Sequence, residues 1–260
     1  MLCDLHIHTH FSCDSAATME AYCERALALG VQVLCFTDHL DHNPRDEGYG
    51  YYGAEAYFAA FAQAQARYGG RLTLLRGLEF SEPHCYPQEL EQARKRPYDF
   101  ILGSIHYWVN DLFASEVLPS GISNEESWAV YWQEVQAAVR HGGFDALAHP
   151  DFPKRYGGAS LWETAQLREI FQIMGKNKIA LEINTSSLRK GYSEAMPGSE
   201  LLQLYRDTGG RLVTLGTDAH KPEDLFTDIP AQKERCEALG LEEVFYQNHR
   251  ARPTSWAELP

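Results

Sequence analysis

Histidines and carboxylates recur in this sequence at spacings that suit metal binding. Near the start stands Asp4-Leu5-His6-Ile7-His8. Side chains two apart on a strand point to the same face. A strand here projects His6 and His8 together and sends Leu5 and Ile7 to the other side. Two imidazoles held side by side are a ready-made pair of ligands for a divalent ion, although an isolated pair serves equally as hydrogen-bonded core histidines. The pattern returns down the chain in Thr37-Asp38-His39, Gly103-Ser104-Ile105-His106 and Ala146-Leu147-Ala148-His149-Pro150. In Gly77-Leu78-Glu79-Phe80 a carboxylate sits inside an apolar run, and in Gly216-Thr217-Asp218-Ala219-His220 the acid and the final imidazole again share a face. Asp14, within Phe11-Ser12-Cys13-Asp14-Ser15, reads by itself as an ordinary loop acid.

The elements that must carry these residues are short apolar runs alternating with longer amphipathic ones. Strands are expected over 2–8, 31–37, 72–80, 98–105, 144–149, 178–184 and 211–217. Helices are expected over 18–29, 54–68, 86–95, 124–141, 161–175, 198–207 and 231–239, with Asn124 as an N-cap and Gly142-Gly143 and Gly209-Gly210 as stops. A run of strand–helix units implies a parallel sheet, either open and doubly wound or closed into a barrel. No GxGxxG follows the first strand, so a dinucleotide site has no support. Six of the seven expected strands end in a histidine or an acid. In parallel α/β folds the C-terminal strand ends converge on one face. A barrel also sets the last strand beside the first, so Asp218 and His220 would join His6 and His8, whereas an open sheet would scatter them. No repeat, linker or low-complexity segment divides residues 1–260, which read as a single domain.

Composition narrows the function. The net charge is −13, and the longest basic run is Arg94-Lys95-Arg96. A protein that grips a nucleic-acid backbone needs a basic surface, so nucleic acid is disfavoured as a partner. No run of 18 apolar residues predicts a membrane span, and the first residues lack a secretory pattern. A cytoplasmic location follows by default. The six cysteines form no CxxC pair and read as reduced thiols, with Cys35 packing in a strand as a small hydrophobe.

Taken together, these residues resemble the PHP (polymerase and histidinol phosphatase) superfamily. Its motifs are matched by His6-x-His8, Thr37-Asp38-His39, His149 and Asp218-x-His220, with Glu79 and His106 at intervening ligand positions and Asp14 where the family has a histidine or an aspartate. The resemblance spans residues 4–220. It implies a distorted seven-stranded TIM-like (βα)7 barrel with three divalent metal ions held by His6, His8, Asp14, His39, Glu79, His106, His149, Asp218 and His220. Glu79 is implied as a bridging carboxylate, and Glu79, Asp218 and His220 as the groups nearest the chemistry. Two further segments, Leu181 through Lys190 and His149 through Arg155, are similar to the monofunctional histidinol-phosphate phosphatases of that superfamily. The implied reaction is hydrolysis of L-histidinol phosphate to L-histidinol and phosphate in histidine biosynthesis. Alternatives are a phosphoesterase or exonuclease acting on nucleotides or nucleic-acid ends, and a non-catalytic module that stabilises a larger assembly.

A mixed imidazole and carboxylate shell suits zinc, manganese or iron better than magnesium or calcium. Ions about 3.5–4 Å apart share a hydroxide that is acidic enough to form near neutral pH, and such a hydroxide would attack phosphorus in line. Arg155 and Arg189 are the leading candidates for the phosphate oxygens, since a guanidinium binds phosphate bidentately. Lys154 and Lys190 rank below them. Asn184 is a candidate for the substrate or for a group behind the ligands. Tyr107 is a candidate substrate contact, and Tyr107 and Phe11, which flank ligands, are also candidates for stacking on an imidazole. Of the histidines outside the ligand pattern (His10, His42, His84, His141 and His249), His42 is the one assigned a substrate role. The group that protonates the leaving alkoxide stays open.

Overall fold

The structure is a computed structural model that describes residues 1–157 and 159–255. Twelve strands occur among them: β1 (Cys3–Ile7), β2 (Val33–Phe36), β3 (His39–Leu40), β4 (Thr73–Ser81), β5 (Phe100–Ser104), β6 (Tyr107–Trp108), β7 (Leu112–Phe113), β8 (Ala146–Leu147), β9 (Ala180–Asn184), β10 (Leu212–Gly216), β11 (Glu242–Gln247) and β12 (Arg250–Pro253). The helices are α1 (Met19–Leu29), α2 (Ala54–Tyr68), α3 (Pro87–Arg94), α4 (Ala114–Val117), α5 (Asn124–His141), α6 (Thr164–Asn177), α7 (Ser186–Arg189), α8 (Ser199–Asp207) and α9 (Ile229–Leu239). All seven expected strands and all seven expected helices are present, shifted by a few residues at their ends. No helix among the described residues is long and apolar enough to cross a membrane.

Local chemistry explains the helix limits. Thr18 caps α1 by accepting from the Ala21 N–H at 3.1 Å, and Gly30 ends it at φ 74°, a left-handed conformation that costs glycine little. The cap of α5 is Ser123, whose Oγ accepts from the Glu126 N–H at 3.1 Å. Asn124, expected there, is the first helical residue, and its side chain reaches across to the Ala159 carbonyl. A serine one position earlier satisfies the free N–H groups equally well, so composition alone left the choice to a single residue.

Strands β1, β2, β4, β5, β8, β9 and β10 pair in that order, all parallel, and β11–β12 extends the path beyond β10 as an antiparallel hairpin. The chain is therefore a mixed α/β fold. The hydrogen-bonded order is an open path of strands, not the closed ring expected. β1 and β10 run close together, but their backbone pairing is confined to the chain just past the end of β10, where Ile7 bridges Ala219 in parallel sense. The His8 N–H donates to the Ala219 carbonyl at 2.8 Å and the Ala219 N–H to the His6 carbonyl at 3.3 Å. This one link still sets Asp218 and His220 beside His6 and His8.

The parallel strands β1, β2, β4, β5, β8, β9 and β10 are buried along almost their whole length, as a parallel sheet covered on both sides requires. Val33 and Cys35 pack inward with Cys3, Leu5, Leu75, Phe100, Leu102 and Ala148, capped by Phe245 and Tyr246 of β11. Leu34, Phe36, Ile101, Leu181 and Leu215 face the helices, packed with Tyr22, Tyr57, Trp128, Trp132 and Phe171. Cys35 is fully buried, as its strand position implies. The large buried side chains each contribute about 1.5–3 kcal/mol when removed from water. One expectation about β1 is corrected. Leu5 belongs to the inner cluster and Ile7 to the outer one, because the register against β2 shifts between Asp4 and Ile7. The β11–β12 hairpin was not anticipated. Its two-residue turn, Asn248-His249, has φ 51° and 58°, a geometry usually announced by Asn-Gly.

Candidate metal centre

The nine expected ligands meet at the C-terminal ends of the parallel strands. Glu79, at the end of β4, is the hub. Its Oε1 lies 2.9 Å from His149 Nε2 and 3.3 Å from His106 Nε2. Its Oε2 lies 3.1 Å from His6 Nε2, 3.4 Å from His8 Nε2 and 3.4 Å from His39 Nδ1. Asp218 Oδ1 stands 3.4 Å from His8 Nε2 and 3.5 Å from His220 Nδ1. Asp14, from the loop after β1, completes the set at 2.8 Å from His220 Nε2 and 3.7 Å from His39 Nε2. The donor atoms fall into three overlapping groups, each compact enough for one ion: His8, Asp14, His39 and His220; His6, His8 and Asp218; His39, Glu79 and His106. His149 adjoins them through Glu79.

Electrostatics favours a cation here. Burial alone raises the Glu79 carboxyl, but the facing His6 and His39 outweigh it and hold the group well below the usual carboxylate range. Burial likewise raises Asp218, and His6, His8, His220 and Arg155 overcome it and keep it ionised. Burial pulls His8 down to about 3, helped by His220 and His39. Burial lowers His6, His39, His106 and His220 as well, but the facing carboxylates outweigh it and raise all four, so a bound cation would take the place of protons on those rings. The Nε2 atoms of His6 and His8 are 2.9 Å apart. Two facing imidazole lone pairs repel unless a proton or an ion lies between them. The Nδ1 atoms of His39 and His149 are buried without a hydrogen-bond partner. Such a crowd of lone pairs, with no thiol among the nine residues, fits borderline divalent ions.

Behind the nine lies a ring of groups that aim them, and most of it escaped the sequence reading. Glu182 of β9 takes the His6 Nδ1 contact at 2.5 Å and accepts from the His149 N–H at 2.7 Å. Ser12 Oγ stands 3.1 Å from His8 Nδ1 and donates to Asp38 at 2.9 Å. Ser81 Oγ lies 3.0 Å from His106 Nδ1 and donates to Asp41 at 2.5 Å. Asp4, buried, accepts from Thr217 N–H and Oγ and from the Phe226 N–H, which ties β1 to the chain after β10. Partners of this kind fix imidazole tautomers. Glu182 carried a readable signal, an acid inside the apolar run Ala180–Asn184, the same signal that singled out Glu79. Gly216 shows how close β10 passes: a Cβ there would stand 2.4 Å from His6 Cβ and 2.7 Å from Glu182 Oε1.

A cleft of about 870 Å³ opens above the cluster. Arg155, Arg189, Lys190 and Tyr107 line it, with His39, Glu79, His106, His149, Asp218 and His220 at its floor. Arg155 Nη1 pairs with Asp218 Oδ2 at 3.2 Å and the guanidinium stacks 5.0 Å over Phe152, leaving Nε without a partner. Arg189 Nη2 donates to the carbonyls of Thr217 at 2.7 Å and Asp218 at 3.2 Å, while its Nη1 is unpaired.

Other candidates are placed differently. Lys154 is tied to Asp151 and to the Ala195 carbonyl. Asn184 is fully buried, accepts from Ser186 N–H and Oγ, and does not line the cleft. His42 packs between Phe80 and Tyr86, away from the cleft. Tyr107 meets Phe113 edge to face, not an imidazole. The rings set against His106 and His149 are instead those of Phe152. Phe11 stacks on His10 at 4.2 Å, an imidazole outside the cluster. For His42, apolar packing took a ring that sequence proximity had set beside a ligand.

Known proteins align with this arrangement over nearly the whole chain. A probable histidinol-phosphatase of Deinococcus radiodurans is 30% identical, covering 97% of this chain and 99% of its own length. The histidinol-phosphatase of Lactococcus lactis is 27% identical, covering 93% of this chain and 92% of its own. The crystal structure of histidinol phosphate phosphatase from Lactococcus lactis, complexed with zinc, L-histidinol and phosphate, superposes with a TM-score of 0.85 at 26% identity, covering 96% of this chain and 98% of that one. The PHP domain model matches residues 4–186, and the chain belongs to the PHP domain family.

Proposed function

We propose that this protein is a metal-dependent phosphomonoesterase that hydrolyses L-histidinol phosphate to L-histidinol and phosphate. The observation that carries the reading is the junction of three overlapping donor groups with a cleft whose wall presents two arginines. The relatives that match along their full lengths are histidinol-phosphatases, which supports the same substrate. On this reading, residues 1–260 form one catalytic domain, and the sheet is a distorted seven-stranded barrel joined through Ile7 and Ala219. The nine clustered residues hold three ions of the zinc, manganese or iron class, with Glu79 shared between positions. When bound, such ions supply Lewis acidity, acidifying water and neutralising phosphate oxygens.

The chain itself binds and orients. The Arg155 Nε and the Arg189 Nη1, both buried and unpaired, donate to the phosphate oxygens. Asp218, kept ionised, both faces the donor cluster and anchors Arg155. Lys190 adds positive charge at the rim. With a net charge of −13, the surface repels a polyanion but leaves a small phosphate monoester to these local cations.

Phosphate release decides between substrates. L-histidinol phosphate should be hydrolysed faster than mononucleotides, and a chelator should stop the reaction until metal is restored. Equal or faster release from mononucleotides would move the assignment to the nucleotide-directed alternative. Chelator-resistant release would remove the metals from it.

Arg189 tests phosphate recognition separately. A charge-assisted contact contributes on the order of 1.5–3 kcal/mol, so Arg189→Ala should lower kcat/KM by roughly ten- to a hundred-fold. Arg189→Lys should recover only part of this, because a point charge cannot reproduce the fork. Metal analysis of the same batch separates a lost phosphate contact from a displaced Asp218, whose carbonyl Arg189 also holds. An unchanged kcat/KM in the alanine variant takes Arg189 out of the site.

A further inference from the structure

Three side chains outside the cluster described above also gather donor atoms. His84 and Cys85 lie in the turn between β4 and α3, and Glu134 lies on α5. His84 Nε2 is 2.7 Å from Glu134 Oε2 and 3.4 Å from Cys85 Sγ, and all three donor atoms lie within 4.8 Å of one another. Donors bound tetrahedrally to zinc at ~2.0–2.3 Å stand roughly 3.3–3.5 Å apart, so the spacing of the sulfur from the imidazole already suits an ion and the carboxylate needs to retreat from the imidazole by only a fraction of an ångström. The turn that presents them is held by the Cys85 N–H donating to the Glu82 carbonyl at 2.9 Å. The His84 and Glu134 side chains are 12% and 34% exposed, and Cys85 is exposed, which leaves a position open to water.

We propose that His84, Cys85 and Glu134 form a second site, for one thiolate-binding divalent ion of the zinc class, separate from the centre at the strand ends. Thiolate and imidazole together select borderline ions over magnesium or calcium. Binding forms bonds from the ion to Cys85 Sγ, His84 Nε2 and a Glu134 oxygen, and the thiol proton passes to water. The occupied site ties the β4–α3 turn to α5. Glu82, in that turn, accepts from the His106 and Tyr107 N–H groups at 2.7 and 3.2 Å, so the tie lies directly behind the strand end that presents His106. The inference does not depend on the substrate proposed above.

Cobalt(II) is the probe, because cobalt–thiolate ligation has its own near-ultraviolet charge-transfer band and none of the nine clustered residues is a cysteine. Titrating metal-stripped protein with cobalt(II) under a non-chelating reductant should develop that band, to about one thiolate per chain. Cys85→Ser should abolish it, and Glu134→Gln should shift its midpoint to at least roughly tenfold higher cobalt. Cys13→Ser is the control, since Cys13 is exposed and lines the active cleft, and it should leave the band intact. Phosphate release by Cys85→Ser, refilled with zinc, should match the parent protein. No band at saturating cobalt, a band that survives Cys85→Ser, or a band lost in Cys13→Ser would each overturn the second site, and none of these bears on hydrolysis of the phosphate ester.

Discussion

Glu79→Ala should lower kcat/KM by at least about a thousand-fold, equivalent to ~4 kcal/mol of transition-state stabilisation, the scale of a lost metal-ion contribution. Glu79 faces His6, His8 and His39 through one oxygen and His106 and His149 through the other. Among the described residues no other carboxylate touches so many of the clustered imidazoles. Removing it leaves five rings, four of them buried, facing a void, and it deletes the negative charge that makes a cation welcome among them. The purified variant should therefore also carry fewer ions per chain than the parent. Glu79→Gln isolates charge from volume: it fills the space, yet should lose nearly as much activity because an amide cannot bridge two ions. Parental metal content and turnover in the alanine variant would eliminate Glu79 as a shared ligand.

The second large effect is expected one layer out. Glu182 is not among the nine clustered residues, but it contacts His6 Nδ1 and the His149 N–H. In Glu182→Gln one acceptor oxygen becomes an N–H donor, which leaves either the His6 or the His149 contact with two donors facing each other. Loss of such an orienting carboxylate weakens metal affinity by about 10–100-fold. The variant should be poorly active as purified and regain activity when the metal concentration is raised, which separates misaimed ligands from a lost reacting group. An unchanged metal dissociation constant would reduce Glu182 to packing.

How much of this was readable in advance differs from residue to residue. His6, His8, His39, Glu79, His106, His149, Asp218 and His220 were legible because each polar group interrupts or ends an apolar run where a strand must stop, and parallel strands bring those ends to one face. Asp14 was legible only through the family motif, since nothing in its own neighbourhood distinguishes it from a solvated acid. Arg155 and Arg189 were legible as cations next to strand ends, but not their partners: only the folded chain sets Arg155 against Asp218 and Arg189 against the Thr217 and Asp218 carbonyls. His42 and Tyr107 stood equally close to ligands in sequence, yet packing on Phe80 drew His42 off, while Tyr107 lines the cleft with its ring against Phe113.

By itself, then, the sequence determined the alternation of the seven main strands and helices and the donor types brought to the strand ends, but not the β11–β12 hairpin or the opposite facing of Leu5 and Ile7. What it determined depends on local periodicity and on residue chemistry. The tertiary structure decided what depends on residues far apart in the chain: the bridge of Ile7 to Ala219 and the hydrogen bonds of Asp4 with Thr217 and Phe226 that bring the last strand to the first, the contact of Glu182 with His6 across 176 residues, and the meeting of His84 and Cys85 with Glu134 across the β4–α3 turn and α5. Side-chain contacts of that range are set by how layers pack, and packing density responds to the whole core at once, so no window of sequence contains them.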